Sequence, residues 1–470
     1  MRGSLAQLAR SIPGAAVTGD AAFDSVSTDS RSAGVGALFV ALRGENFDAH
    51  DFLAQVAAKG VAAVVAEELP PGWTLPALIV PDTLAALGHI AHAWRAQFAI
   101  PVIGVTGSNG KTTVKEMVAA VLAAAFGEPA RLATRGNLNN EIGVPLTLMR
   151  LDAAHKAAVI ELGMNHPGEI ARLTAIAAPG IALVNNAQRE HQEFMHTVQA
   201  VAQENGAVLA GLPPEGVAVF PGDDTYTPLW HDLAAGRRTI TFGLDASCGV
   251  TCTHHATAFG SDLLVVVREA GEDARQFPVR LAAAGMHNVR NALAAIACCV
   301  AACVADEDIE RGLAAFAPVS GRLQKKSAAC GATVIDDTYN ANPDSVRAAV
   351  DVLAQSSLPH ILVLGDMGEV GTQGQQFHEE IAAYAASCGI AEVFVTGDLT
   401  RHMVALGARH FEQFDDLLAA LDARLGSNCD TTVLVKGSRF MQMERVVQHL
   451  LGLDNTSNIG NTSNISKETH

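Results

Sequence analysis

Apolar residues in this chain gather into short unbroken runs, and the stretches between them carry helical spacing. In the first part, Leu38–Leu42 and Val61–Glu67 read as strands with a helix near His50–Lys59 between them. Helical pattern from Thr83 to about Ala99 then leads into Ile100-Pro101-Val102-Ile103, followed by the helix-like Val114–Ala125 and the runs Ala157–Glu161 and Ile181–Val184. The last third repeats the theme with strands at Thr333–Asp336, His360–Leu364, Glu392–Val395 and Thr432–Val435. Helices are expected there at Pro343–Ala354, Gln375–Ser387, Phe414–Leu425 and Met441–Leu450. Unbroken apolar strands alternating with amphipathic helices predict parallel sheets covered on both faces. Only the region from Thr239 to Leu281 alternates residue by residue, which predicts an added antiparallel hairpin.

The expected fold class is therefore α/β with three domains. A small N-terminal α/β domain takes residues 1–82, with prolines 70, 71, 76 and 81 breaking up its exit. A central parallel-sheet domain of P-loop ATPase type takes 83–318, and a Rossmann-like doubly wound domain takes 319–453. Residues 454–470 repeat NTSNI, hold little apolar content and are expected to be a disordered tail.

The stretch Gly104–Thr113, GVTGSNGKTT, joins a predicted strand to a predicted helix through a glycine-rich turn. Backbone N–H groups and the positive end of a helix dipole converge at such a turn, and glycines let an anion approach closely. Gly107, Ser108, Asn109, Gly110, Lys111, Thr112 and Thr113 are thus expected to hold a nucleoside triphosphate. Lys111 would reach its β- and γ-phosphates and the Thr112 hydroxyl would ligate Mg²⁺. The strict eight-residue P-loop pattern fails at its first position, which is Val105.

Charge narrows the partners. With 32 basic against 49 acidic residues the net charge is −17, which disfavours nucleic acid. Anionic ligands must be held by local pockets. No apolar run is long enough to span a bilayer, and the N-terminus reads as an ordinary amphipathic helix, so a cytoplasmic location is expected. The eight cysteines do not form a disulfide framework, and Cys298, Cys299 and Cys303 read as small core residues on one helix. Cys248, Cys252, His254 and His255 tempt a zinc reading, but adjacent strand residues point to opposite faces, which hinders convergence on one ion.

Open parallel sheets hold ligands at the carboxyl ends of their strands. Glu161 ends one apolar run and His191 follows the next, so Thr112, Glu161 and His191 can converge around one Mg²⁺–triphosphate. A capping or merely exposed role competes for each. Asn137, Asn139 and Asn140 in GNLNNEIGVP suit a polar, amide-bearing substrate, though asparagines also build turns. His287, Asn288 and Asn291 open a helix where a base or ribose could be met. Asp336 and Asp337 end a strand of the third domain.

Together, TGSNGKTT, GNLNNEIGVP, ELGMNHPGEI, the EH of NNAQREHQE, GMHNVRNALAA, SGRLQ, DDTYNANPDS, LGDMGEVG and VKGSRFMQME resemble, in this order, the Mur ligases. These are ATP-dependent amide-forming enzymes of peptidoglycan synthesis. STDSR and LFVALRGENFDAHDF are similar to the family's uridine-nucleotide domain. DTYNANPDS, MNHPGEI and GNLNNEIGVP resemble most the branch acting on UDP-N-acetylmuramoyl-tripeptide and D-alanyl-D-alanine. The resemblance implies that the glycine loop and Lys111 bind ATP, and that Thr112 and Glu161 hold Mg²⁺ with His191 near a second ion. It further implies that Asn291 contacts adenine, that Arg322 and Asp337 approach phosphates and ribose, and that Lys111 and His191 serve catalysis. Ser30 and Arg31 would meet the UDP moiety, and Asn137 and Asn139 the muramoyl-peptide. A monomer is expected, with closure of the third domain over ATP. One departure stands out: several relatives carry a carbamoylated lysine where this chain has Asn205, and an amide cannot take a carbamate. A Mur-type ligase adding a different amino acid, or a nucleotide-hydrolysing regulatory switch, remain the alternatives.

Overall fold

The computed structural model of the chain describes residues 1–44, 47–426 and 429–453, and the segment 454–470 expected to be a tail lies outside them. Three α/β units follow one another. In the first, parallel strands Ser25–Ser27, Ala37–Val40, Ala63–Ala66 and Ala77–Ile79 form a sheet that Ala16–Val17 closes antiparallel. The 3₁₀ turn Ala49–Phe52 and helix Leu53–Ala58 lie where a single helix was expected.

The central sheet has nine strands. Its parallel part runs Arg131–Ala133, Ala157–Glu161, Val102–Thr106, Ile181–Val184, Val217–Pro221 and Arg238–Phe242 in spatial order. Val102–Thr106 therefore lies between Ala157–Glu161 and Ile181–Val184, with Glu161 opposite Val105 and Val184 opposite Thr106. A crevice opens at the strand ends where the winding reverses. The alternating region yields more than a hairpin: Arg238–Phe242 is a parallel strand, and Val250–Thr257, Gly260–Val267 and Arg275–Leu281 form a three-stranded antiparallel meander. Its alternation reflects one buried and one solvated face, as with Val265 and Val267 inside and Leu264 exposed.

The third unit's sheet runs Gln324–Ser327, Thr333–Asp337, Thr432–Lys436, His360–Gly365, Glu392–Thr396 and Arg409–His410, parallel except for its first strand. Helices Pro343–Ala354, Gly374–Ser387, Phe414–Leu425 and Glu444–Leu450 flank it, the last preceded by a 3₁₀ turn at Arg439–Met441. Separate apolar cores fill its two faces.

The first two units instead share a core. Leu38, Val40, Val65 and Leu78 of the N-terminal sheet join Leu87 and Ile90 of helix Thr83–Arg95 and Ile160, Val184 and Phe220 of the central sheet in one buried cluster. Asp82 caps that helix by accepting from the amides of Leu84 and Ala85. On the opposite face, helices Lys111–Phe126 and Met286–Ala301 cover the central sheet, with Cys298 and Cys299 fully buried between them. Cys303 departs from the expectation: the helix ends at Ala301, and Cys303 turns the chain at φ 57° with its side chain exposed. His254 and His255 are both exposed on the meander while Cys248 is buried. Among the described residues no helix is long and apolar enough to cross a membrane.

The N-terminal unit carries one strong local electrostatic knot. Asp48 accepts from the His50 amide and ring and from Arg43 Nε at 2.7 Å. Partial burial opposes its charge, but these donors outweigh that and hold its carboxyl down to about 2. A lowered folded value stabilises above the unfolded pKa and is lost as pH falls through the folded one. Asp48→Asn should therefore cost about 1 kcal/mol at pH 7 after discounting for solvent screening. In urea melts the difference should persist down to pH ~4 and be lost as pH falls through ~2.

Candidate active site

The glycine loop is shaped by what crowds it. Gly107 has φ 133° and Gly110 φ 81°, a region that L side chains avoid. A Cβ on Gly110 would run into Asn291 Oδ1 and stand 2.7 Å from Asn185 Nδ2. One on Gly107 would sit 3.0 Å from the backbone nitrogens of Asn185 and Asn186. The segment after strand Ile181–Val184 grips the loop from this side. Ser108 N donates to Asn186 O at 3.1 Å, and Asn109 N to Asn186 Oδ1 at 2.9 Å. Gln188 N donates to Ser108 Oγ, and Gln188 Oε1 accepts from Asn109 Nδ2. Ser108 and Asn109 thus direct their amides at Asn186, and the helix beginning at Lys111 supplies the free end of the cradle.

Lys111 Nζ donates to the carbonyls of Gly107 and Ser108 and lies 2.8 Å from Glu190 Oε1. Glu190 is nearly buried, and its Oε2 has no hydrogen-bond partner. Burial works against its charge, but Lys111 and His191 outweigh it and keep the carboxyl below its usual range. His191 stands between two carboxylates, with Nε2 3.4 Å from Glu190 and Nδ1 2.6 Å from Glu369. Burial favours the neutral ring, yet those two charges raise it to about 9. His191 in this arrangement is an imidazolium that reaches the loop through Glu190.

Thr112 and Glu161 meet as the strand register allows. Glu161 Oε1 accepts from Thr112 Oγ1 at 3.1 Å and from Asn139 Nδ2 at 2.9 Å, while Oε2 is buried without a partner. A hydroxyl from the loop helix and a carboxylate from the adjacent strand, the latter with an orphaned oxygen, fit the hard-donor demand of Mg²⁺. Arg322 reaches across from the third unit and donates to Thr112 Oγ1 at 3.0 Å, its guanidinium stacked 4.1 Å from the Tyr339 ring centroid. Asp337 lines the same cleft but is held by Lys436 Nζ at 2.6 Å and by the Leu323 amide. Near them, burial pushes His287 down to about 4, leaving a neutral ring.

The remaining candidates divide. Asn291 lies behind the loop, buried, accepting from Asn185 Nδ2 at 2.9 Å and donating to Asn288. Asn137 stands exposed at the cleft rim. Ser30 and Arg31 do not line the cleft; they belong to the N-terminal unit, where Arg31 pairs with Asp29 and Lys59 binds both their carbonyls. The cleft encloses about 1170 Å³ between the central and third units, room for a nucleotide and a second ligand together.

This chain is 38% identical over 452 residues to the UDP-N-acetylmuramoyl-tripeptide–D-alanyl-D-alanine ligase of Escherichia coli, covering 95% of the chain and 98% of that relative. The chain belongs to the Mur ligase family. It matches the Mur ligase family catalytic domain over 22–120, the Mur ligase middle domain over 105–299 and the Mur ligase glutamate ligase domain over 321–439. A MurF crystal structure from Acinetobacter baumannii superposes with TM-score 0.87 at 33% identity, covering 95% of this chain and 97% of that one. The fold also matches the MurF ligase of Thermotoga maritima solved in complex with ADP, with TM-score 0.81 at 24% identity and 91% and 97% coverage.

Within this Mur ligase, Asn205 sits below the loop strand, fully buried, accepting from Thr106 Oγ1 at 2.7 Å and away from the cleft lining. Sequence reading overlooked Asn185, Asn186 and Gln188 and gave Glu190 no role beyond its place in the EH motif, although a polar NNAQREH run straight after a buried strand marks a carboxyl edge. It also overlooked Lys115, fully buried on the loop helix with Nζ bonded to Thr134 O at 3.0 Å. Gly110→Ala should weaken ATP-analogue binding roughly tenfold or more, since its Cβ collides and its φ is strained. Calorimetric titration against an unchanged circular dichroism spectrum checks this.

Proposed function

We propose that this chain joins D-alanyl-D-alanine to UDP-N-acetylmuramoyl-tripeptide at the expense of ATP, in cytoplasmic peptidoglycan precursor synthesis. The observation that carries the reading is the meeting of Lys111, Thr112 and the orphaned Glu161 oxygen at one strand edge, in a chain similar over nearly its whole length to ligases of that name. The division of labour is residues 1–82 for the uridine nucleotide, 83–318 for ATP and 319–453 for closing over it. The unit that acts is taken to be a monomer.

A free carboxylate resists attack by an amine, so it must first be activated. On this reading the terminal carboxylate of the tripeptide attacks the γ-phosphorus of ATP, ADP leaves, and an acyl phosphate forms. The D-alanyl-D-alanine amine then attacks the acyl carbon, losing a proton as inorganic phosphate departs. Lys111 exchanges its Glu190 partner for phosphoryl oxygens and disperses the charge growing on them. Thr112 and Glu161 would hold Mg²⁺, which supplies further charge neutralisation at the phosphates. His191, held between Glu190 and Glu369, would sit at or near a second metal ion, giving up its proton on becoming a ligand. Arg322 supports the closed geometry from the third unit, and no enzyme nucleophile is required.

Phosphate release should depend on the presence of both acceptors together, whereas a regulatory switch would hydrolyse nucleotide without them; a coupled phosphate assay separates the two. Lys111→Ala should abolish ligation while the UDP-linked substrate still binds in a calorimetric titration. Glu161→Gln should raise the Mg²⁺ concentration needed for half-maximal rate roughly 10- to 100-fold.

A further inference from the structure

Arg189 lies between Gln188, which clamps the phosphate loop, and Glu190, which pairs with Lys111, yet its side chain leaves the central unit altogether. Its guanidinium donates to Asp344 from Nε at 3.1 and 3.2 Å and from Nη2 at 2.6 Å. It also donates to both Glu380 oxygens, at 2.7 and 3.1 Å. The Arg189 backbone amide adds a bond to Asp344 at 2.9 Å, and the guanidinium lies 5.3 Å from the Phe377 ring centroid. One cation thus gathers carboxylates from two helices of the third unit, Pro343–Ala354 and Gly374–Ser387. The three side chains are only 22, 23 and 30% exposed, so solvent screens them less than a surface pair.

The first of these helices, and the loop that precedes the second, connect to the cleft. Asn342 caps the first and exchanges amide hydrogen bonds with Asn109 of the phosphate loop at 2.9 and 3.3 Å. Two residues beyond Arg189, His191 meets Glu369, and both hold positive φ, at 49° and 56°. Strained backbone on the two sides of one contact persists only where the surroundings over-determine it.

We propose that Arg189 is the positioning residue that latches the third unit onto the phosphate loop. Remove it, and Asp344 loses its cation while Glu380 keeps only Arg347 of its own unit, at 2.9 Å, so the charge attraction across this interface is lost. Because Glu190 is the adjacent residue, a triphosphate that takes Lys111 from it acts on the segment that carries the latch. Nucleotide binding and closure become one mechanical event. The kinetic arm of this inference rests on the ligase reading above, whereas the scattering arm does not.

The test uses the full chain with Arg189→Ala, the charge exchange Arg189→Asp with Asp344→Arg, and Arg280→Ala on the exposed meander as control. Small-angle scattering is recorded with a non-hydrolysable ATP analogue and Mg²⁺, beside steady-state kinetics. Arg189→Ala should lose the ligand-induced compaction of the parent and drop kcat/KM for ATP and for the dipeptide roughly tenfold or more. Binding of the UDP-linked substrate should stay unchanged, the charge exchange should recover compaction, and Arg280→Ala should match the parent. Compaction and kcat/KM within about twofold of the parent would overturn the latch. So would lost activity with intact compaction, which would assign Arg189 to the Glu190–Lys111 pair instead. Should Arg189→Ala lack a thermal transition, Arg189→Lys replaces it with the same readings, since an ammonium cannot fork onto two carboxylates. If the ligase reading alone fails, the parent shows no acceptor-dependent phosphate release while the scattering contrast survives.

Discussion

A turn with no room for a Cβ at either glycine governs everything around the cleft. Gly107 and Gly110 press against Asn185, Asn186 and Asn291, so the loop is wedged between its own helix and the segment after the neighbouring strand. This crowding fixes where Lys111 and Thr112 emerge, and the sheet register sets Glu161 beside them. A backbone held on both sides loses little further entropy when an anion arrives, which is what preorganised binding requires. The asparagines contribute hydrogen bonds without charge, leaving the field at the loop to Lys111 and the helix terminus.

The electrostatics show how a chain of net charge −17 can hold a polyanion. Several positive groups at the cleft are matched to a carboxylate: Lys111 to Glu190, Lys436 to Asp337, Arg290 to Asp223. Arg322 differs, since it meets the Thr112 hydroxyl and the Tyr339 ring and its Nε is buried without a partner. A triphosphate replaces one anion with another at Lys111, so binding there is an exchange of partners rather than the neutralisation of an isolated charge. Glu190 then needs a new partner, and the His191 imidazolium stands 3.4 Å away.

The sequence made the strands most legible. Ala157–Glu161, Ile181–Val184 and helices Pro343–Ala354 and Phe414–Leu425 match their apolar patterns residue for residue, because runs buried on both faces leave little ambiguity. The meander was partly hidden, since alternation marks a one-sided strand without saying whether its neighbour runs parallel. Lys111, Thr112 and Glu161 were readable from strand–turn–helix order. The loop's clamps were not, because Asn185 and Asn291 are 106 residues apart and only topology brings them together. Cys303 was misjudged for a local reason: it shares the apolar stretch of Cys298 and Cys299 but lies past the helix end. Arg189, likewise, carries no local pattern that names partners 155 and 191 residues away.

The core common to the first two units carries a mechanical consequence. Helix Thr83–Arg95 buries one face in a cluster to which both the N-terminal and the central sheet contribute, so those sheets cannot rotate apart without tearing apolar surface. The third unit meets the others mostly through polar contacts, with Phe259 and Ala284 of the central unit packed at the margin of one of its cores. The chain passes into it near Gly321, whose φ of 73° lets it turn there. The molecule behaves as a two-piece clamp with one rigid jaw built from two sheets, and on heating that jaw should melt as one cooperative block, separate from the other.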